Sequence, residues 1–240
     1  MDLPPPVTDV PAAFTETVLA AFASRPGPRF TIALSGGPTA RACYEHLADH
    51  TGAHFDAIDW SLVDIYMGDE RDVPPDDPDA NQRLVREALL ERLGPSGDER
   101  AQGTFTPMPT TLPTAECVAS YQRTMEQLFR PDGPGLNLIH LGMGPDGHTA
   151  SLFPHDATLE APPTELVAAS EDPNGVNPHP RLTLTLNAIN QARQAVFTVS
   201  GASKADAVAA LRRGDDIPAA RVAAGTVTWL IDDAAATPSP

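Results

Sequence analysis

Lysine is almost missing from this chain of 240 residues: among 16 basic residues only Lys204 is a lysine. Cysteine is nearly as scarce. Cys43 and Cys117 lie in helical patterns and show neither a metal-ligand spacing nor the framework of a disulfide-rich secreted protein, so a reduced, cytoplasmic setting is expected. No apolar run approaches the roughly 18 residues that a membrane span needs. The opening MDLPPPVTDVP also lacks the basic-then-apolar order of a signal peptide. Positive charge is short overall, and 32 acidic residues leave a formal net charge of −16. Nucleic acid would be repelled at long range. A small anion would have to find a local basic pocket.

What is present is enough apolar material, 41% of the residues, for one large α/β core. Strand-like and helix-like runs alternate, the pattern of a mostly parallel sheet flanked by helices on both faces. Helices are expected over 12–24, 39–49, 81–93, 114–129 and 203–212, with a short one near Ala188. Strands are expected over 30–34, 62–67, 136–141, 195–199 and 227–231, with a small additional strand segment near 165–169 and 182–186. The 26 prolines gather in the connections, where they break elements. There is no internal repeat and no long linker. The expectation is one domain over 1–240, with 1–11 and 234–240 as flexible ends and the final TPSP disordered.

Four segments carry candidate chemistry. In LNLIHLGMGPDGHTASLFP, from Leu136 to Pro154, a buried-strand pattern runs into a glycine-rich turn bearing Asp146 and His148, and strand ends of this kind are where α/β proteins place their sites. Histidine titrates near neutrality. Asp146 also fits the turn-forming half of an Asp-Gly pair, and His148 fits a histidine that merely bonds a neighbouring carbonyl. Gly142, Gly144 and Gly147 match a dinucleotide fingerprint, but Pro154 leaves little room for the helix a pyrophosphate needs.

Ser35-Gly36-Gly37-Pro38-Thr39 lies between a strand and a helix. Backbone N–H groups and the positive end of the helix dipole suit a phosphate there, although an ordinary turn capped by Thr39 has the same residues. Gly68-Asp69-Glu70-Arg71 ends a strand. It reads as a solvated loop, or as Arg71 aimed at an anion with Asp69 or Glu70 holding its guanidinium. In Arg181-Leu182-Thr183-Leu184-Thr185 a cation and two hydroxyls share one strand face, which equally fits the polar side of an edge strand. Lys204 follows in SGASK, where an ordinary surface lysine is the competing reading.

The set SGGPT, GDERDVP with Asn81 shortly after, GMGPDGHTASLFP, PRLTLT and SGASK resembles, in order and spacing, the 6-phosphogluconolactonases. The resemblance runs from about Val18 to Asp232. It implies a modified Rossmann-type fold shared with the glucosamine-6-phosphate deaminases and related to ribose-5-phosphate isomerases. It also implies hydrolysis of 6-phospho-D-glucono-1,5-lactone to 6-phosphogluconate, with no cofactor and no metal. Separately, the acidic surface is compatible with a monomer, and a monomer or homodimer is expected. By the same resemblance His148 is the general base, Asp146 orients it, and Arg71 meets either the phosphate or the carbonyl oxygen. The resemblance further implies that Ser35, Gly36, Gly37, Thr39, Arg181 and Lys204 bind the phosphate, with Asp69 and Gly144 also expected to line the site.

Two positions depart from the family pattern. Ala40 stands where a proline is common, with Pro38 one step before Thr39, and Phe153 stands where the deaminase relatives carry a glutamate. Phe153 cannot move a proton, which favours lactonase over amino-sugar isomerisation. A sugar-phosphate isomerase or deaminase and a non-catalytic sugar-phosphate sensor are the competing expectations, and a dinucleotide oxidoreductase is a more distant one.

Overall fold

A computed structural model describes residues 1–51, 57–93 and 105–237. Its first helix, α1 (Val10–Ala23), opens where the Asp9 carboxylate accepts the Ala12 N–H at 2.9 Å and Pro11 occupies an early helical position. The chain continues through β1 (Phe30–Leu34), α2 (Pro38–Thr51), β2 (Val63–Met67), β3 (Asp69–Arg71), α3 (Asn81–Val85) and β4 (Phe105–Thr106). It then forms α4 (Thr114–Phe129), β5 (Leu138–Leu141), β6 (Val167–Ser170), β7 (Arg181–Leu184), α5 (Leu186–Ile189), β8 (Gln194–Val199), α6 (Ala205–Arg213), β9 (Thr226–Ile231) and α7 (Asp233–Ala236).

Six strands form a parallel sheet in the order β4-β2-β1-β5-β8-β9, and three form a smaller antiparallel sheet, β3-β7-β6. Every residue of β1 and β5 is buried, as expected of parallel strands covered by helices on both faces. The expected architecture is the observed one.

Two expectations need correction, and two elements went unforeseen. Asp69 to Arg71 is not a loop but a short strand, because Arg71 pairs with Arg181 and Asp69 with Thr183 across the antiparallel ladder. The helix expected over 81–93 is not continuous. After α3 it widens into a π-turn, Arg86–Leu90, and closes as a 3-10 turn, Glu91–Leu93. The short strand β4 and the last helix α7, capped by the Asp232 carboxylate on the Ala235 N–H, carried no recognised signal. Of the expected disordered tail, 238–240 lies outside the described residues.

The three central strands are joined beneath their C-terminal ends by a buried polar chain. Ser35, directly after β1, donates its N–H to the Tyr44 hydroxyl at 2.8 Å, and that hydroxyl donates back to the Ser35 carbonyl at 3.0 Å. His140 of β5 meets the Tyr44 oxygen through Nδ1 and Thr198 of β8 through Nε2, each at 2.8 Å. With the phenol proton on Ser35, Nδ1 must donate to Tyr44 and Nε2 must accept from Thr198. Burial pushes the His140 imidazole down to about 3, so it stays neutral.

The unfolded chain takes up a proton at His140 near pH 6.5 that the folded chain refuses until about pH 3. This residue's share of stability is therefore complete above pH 6.5 and is lost as pH falls. His140→Gln, which hydrogen-bonds without titrating, will reduce the acid sensitivity of urea unfolding below pH 6.5 by up to about 1.4 kcal/mol per pH unit. Parallel stability curves for the two proteins would contradict a buried neutral imidazole.

Candidate active site

Segments leaving the C-terminal ends of β1, β2, β5 and β8, together with the β6–β7 connection and Arg181 at the start of β7, line a cavity of about 430 Å³. The turn after β1 supplies Ser35 to Thr39. Gly37 takes φ +95°, a value that suits glycine, and its carbonyl accepts the Arg41 N–H as α2 begins. Pro38 at the helix start lacks an N–H that would have had no helical partner anyway. The first free amides and the positive dipole end of α2 thus face the cavity side of the turn.

In the segment after β2, Asp69 is buried and accepts the Ser151 hydroxyl at 2.8 Å and the Asn81 amide at 3.3 Å. Glu70 is fully buried and accepts the backbone N–H groups of Arg71, Asn81 and Gln82 at 2.9, 2.6 and 2.8 Å. Burial pushes its carboxyl up to about 7 against the pull of those three donors. Its work is to hold the start of α3 against β3. Neither acid grips the Arg71 guanidinium, contrary to the expectation; Nη1 donates instead to the Asp79 carbonyl at 2.6 Å. Arg71 Nε is buried without a partner.

Arg181 is 5% exposed and lies opposite Arg71 in the β3–β7 ladder. Burial, and then the neighbouring Arg71 charge, hold its pKa below the usual value. Two like charges on facing positions of a ladder oppose each other. The two hydroxyls expected beside Arg181 are used elsewhere. Thr183 accepts the Ser151 N–H and donates to the Leu184 carbonyl, and Thr185 donates to the Glu165 carbonyl. Both are buried in the scaffold.

After β5 the chain turns through Gly144 to His148. Asp146 Oδ1 accepts from the His148 backbone N–H at 3.1 Å and from its Nδ1 at 2.6 Å. Burial raises the Asp146 pKa, but the bonds and charge of His148 outweigh it and hold the carboxyl below its ordinary value. With Nδ1–H committed to Asp146, Nε2 is the nitrogen left to take a proton. Phe153 packs on the imidazole at 4.9 Å between ring centres. A Cβ at Gly144 would collide with the His148 ring and with Asp146 Oδ1, so only glycine lets this pair close over the turn. Gly147 is followed by a short bridge between Thr149 and Leu152, not by a helix. The dinucleotide geometry is therefore absent from this turn.

Lys204 ends the 3-10 turn Ala202–Lys204 before α6. Burial lowers its pKa, and the Asp146 charge works the other way. The cavity is lined by Ser35, Gly36, Gly37, Thr39, Asp69, Arg71, Gly144, His148, Arg181 and Lys204. Asp146 is not a lining residue and reaches the cavity only through His148. Among the described residues no group of three or more His, Cys, Asp or Glu side chains could hold a metal ion, and no helix is long and apolar enough to cross a membrane.

Residues 7–229 match the family model described as glucosamine-6-phosphate isomerases/6-phosphogluconolactonase. The chain belongs to this family. It is 36% identical over 214 residues to a 6-phosphogluconolactonase of Synechocystis sp., covering 85% of this chain and 82% of that protein. It is 37% identical over 217 residues to one from Mycobacterium tuberculosis, covering 87% and 85%. The crystal structure of a 6-phosphogluconolactonase from Thermotoga maritima superposes with a TM-score of 0.81 at 26% identity, covering 96% of this chain and 99% of the other.

Within this isomerase/lactonase fold, the lining also includes Asn81, Asn177, Thr198, Ser200 and Ser203, none of which had been assigned a place in the site. Asn81 was legible only as part of a motif. Its amide donates to the Asp69 carbonyl at 3.1 Å and its side chain covers Gly36, where a Cβ would collide with the amide oxygen. Gly36→Ala will cost about 1 to 3 kcal/mol in urea unfolding, as expected of overpacking. Adding Asn81→Ala will recover part of that loss. Strictly additive costs would show that the two positions do not touch.

Proposed function

We propose that this chain hydrolyses 6-phospho-D-glucono-1,5-lactone to 6-phospho-D-gluconate. The observation that carries this reading is that one cavity is lined both by an Asp146-buttressed imidazole and by Arg71, Arg181 and Lys204. The substrate is a small ester with a phosphate at one end and an electrophilic carbonyl at the other, and the cavity offers one set of groups for each.

His148 Nε2 takes a proton from water as the water oxygen bonds to C1, and negative charge develops on the carbonyl oxygen. Collapse breaks the bond from C1 to the ring oxygen, which receives the proton from His148. Water is added across the ester bond, and neither a covalent enzyme intermediate nor redox change is involved. Asp146 holds the imidazole tautomer and stabilises its protonated form. Arg71 and Arg181, side by side across β3 and β7, flank the phosphate against the turn from Ser35 to Thr39, and Lys204 closes around it. Charge-assisted bonds of this kind contribute roughly 1.5 to 3 kcal/mol each, enough to outweigh the repulsion of a distant acidic surface that salt screens.

Isomerisation or deamination on the same fold is the second reading. Against it stands Phe153, a hydrocarbon face on the imidazole where a second proton carrier would be needed. A sensor would need the cations but not the Asp146–His148 pair.

His148→Ala will lower kcat by at least ~100-fold with a modest change in KM when the lactone is generated enzymatically and its disappearance followed. Activity within threefold of wild type would remove His148 from its role. Arg181→Met will act mainly on KM, raising it by roughly 10-fold or more. A mutant with unchanged KM would place the phosphate elsewhere.

A further inference from the structure

Arg71 and Arg181 have no carboxylate within ion-pair distance among the described residues; each is tied to a main-chain carbonyl. Arg71 Nη1 donates to the carbonyl of Asp79 at 2.6 Å, and Arg181 Nε donates to the carbonyl of His179 at 3.2 Å. The two residues that own those carbonyls are themselves paired, His179 Nε2 to Asp79 Oδ2 at 2.9 Å. Since Arg71 and Arg181 are also register partners in β3 and β7, the four residues close a circuit across two separate loops. The Asp72 N–H on the Pro180 carbonyl, at 2.9 Å, adds a rung beside it.

The circuit decides which nitrogens face the cavity. A guanidinium has five N–H donors in a rigid fork. Arg181 commits only Nε, so both of its terminal nitrogens remain for a bidentate contact. Arg71 commits one Nη1 proton and keeps Nη2, while its Nε is buried without a partner. Left untethered, two neighbouring cations would swing apart and lose rotamer order that an incoming anion would then have to restore. His179 and Asp79 are partly solvent-exposed, with side-chain accessibilities of 29% and 59%, so their pairing adds little to the stability of the core. Its effect falls on the arginines.

We infer that the Asp79–His179 pair is a positioning device that presets the Arg71 and Arg181 forks for a phosphate group, an inference that rests on the phosphate assignment above. Asp79 and His179 touch no reacting atom. They act by fixing the ends of the loops that hold the two carbonyls.

The test compares Asp79→Ala, His179→Ala, the double variant and His179→Gln, which retains a donor for Asp79. The expected result is a rise of roughly 5- to 20-fold in both KM for the lactone and the dissociation constant of inorganic phosphate for each alanine variant, with kcat within twofold. The double variant will be no worse than the poorer single, as for two halves of one contact, and His179→Gln will lie within threefold of wild type. Constants unchanged within twofold, a fall in kcat at constant KM, multiplicative effects in the double variant, or a glutamine variant as weak as the alanine one would each overturn the inference. Phosphate binding is read by calorimetry without turnover. A wild-type protein that binds phosphate but leaves the lactone intact would defeat the hydrolase reading while the phosphate measurements still decide this one.

Discussion

Where β1 ends, Ser35 would leave a main-chain N–H and a carbonyl unpaired inside the protein, and unpaired buried groups of this kind are costly. The Tyr44 hydroxyl takes both, and its oxygen also receives the His140 imidazole. Through His140 the same network reaches Thr198 in β8. Three of the loops that build the cavity therefore depart from a common buried anchor, and a shift in any of them would break a hydrogen bond that water cannot replace. Phe14 packs on the His140 ring at 4.3 Å and seals the network from below.

Above this anchor the protein separates two electrostatic tasks. Acidic residues dominate the whole, with a net charge of −16, yet the acids nearest the two site arginines are turned to other work. Glu70 faces three backbone amides, Asp69 a serine and an asparagine, and Asp79 a histidine. The guanidiniums of Arg71 and Arg181 are consequently left without an ion pair among the described residues. Local charge at a few ångströms outweighs a screened far field, so the acidic surface as a whole does not set the field inside the cavity.

The imidazole that lines the same cavity shows the same division of labour. Asp146 bonds both to the backbone and to Nδ1 of His148, so the turn and the tautomer are set by one carboxylate. Gly144 leaves space for that closure, and Phe153 covers the ring face with hydrocarbon. The two histidines of this region, eight residues apart, have opposite environments: His140 is sealed and neutral, whereas His148 borders the cavity.

The alternation of strands and helices, the glycine-rich turns and the order of the motifs were legible in the primary structure, because each depends on local periodicity or on residues close in the chain. So was the set of charged residues that border the cavity. Less could be read where one segment answers another far away. Asp69 to Arg71 looked like a loop because its pairing partner, Arg181, lies more than a hundred residues on. The Thr183 and Thr185 hydroxyls shared a face with Arg181 in principle, yet Ser151 and Glu165 claim them. Glu70 looked like a clamp for a guanidinium and serves instead as the anchor of a helix start. Local pattern thus determined which groups this protein has and where the chain turns. Which group each polar atom faces was decided only by tertiary structure, since a buried donor bonds to the nearest acceptor in space and not in sequence.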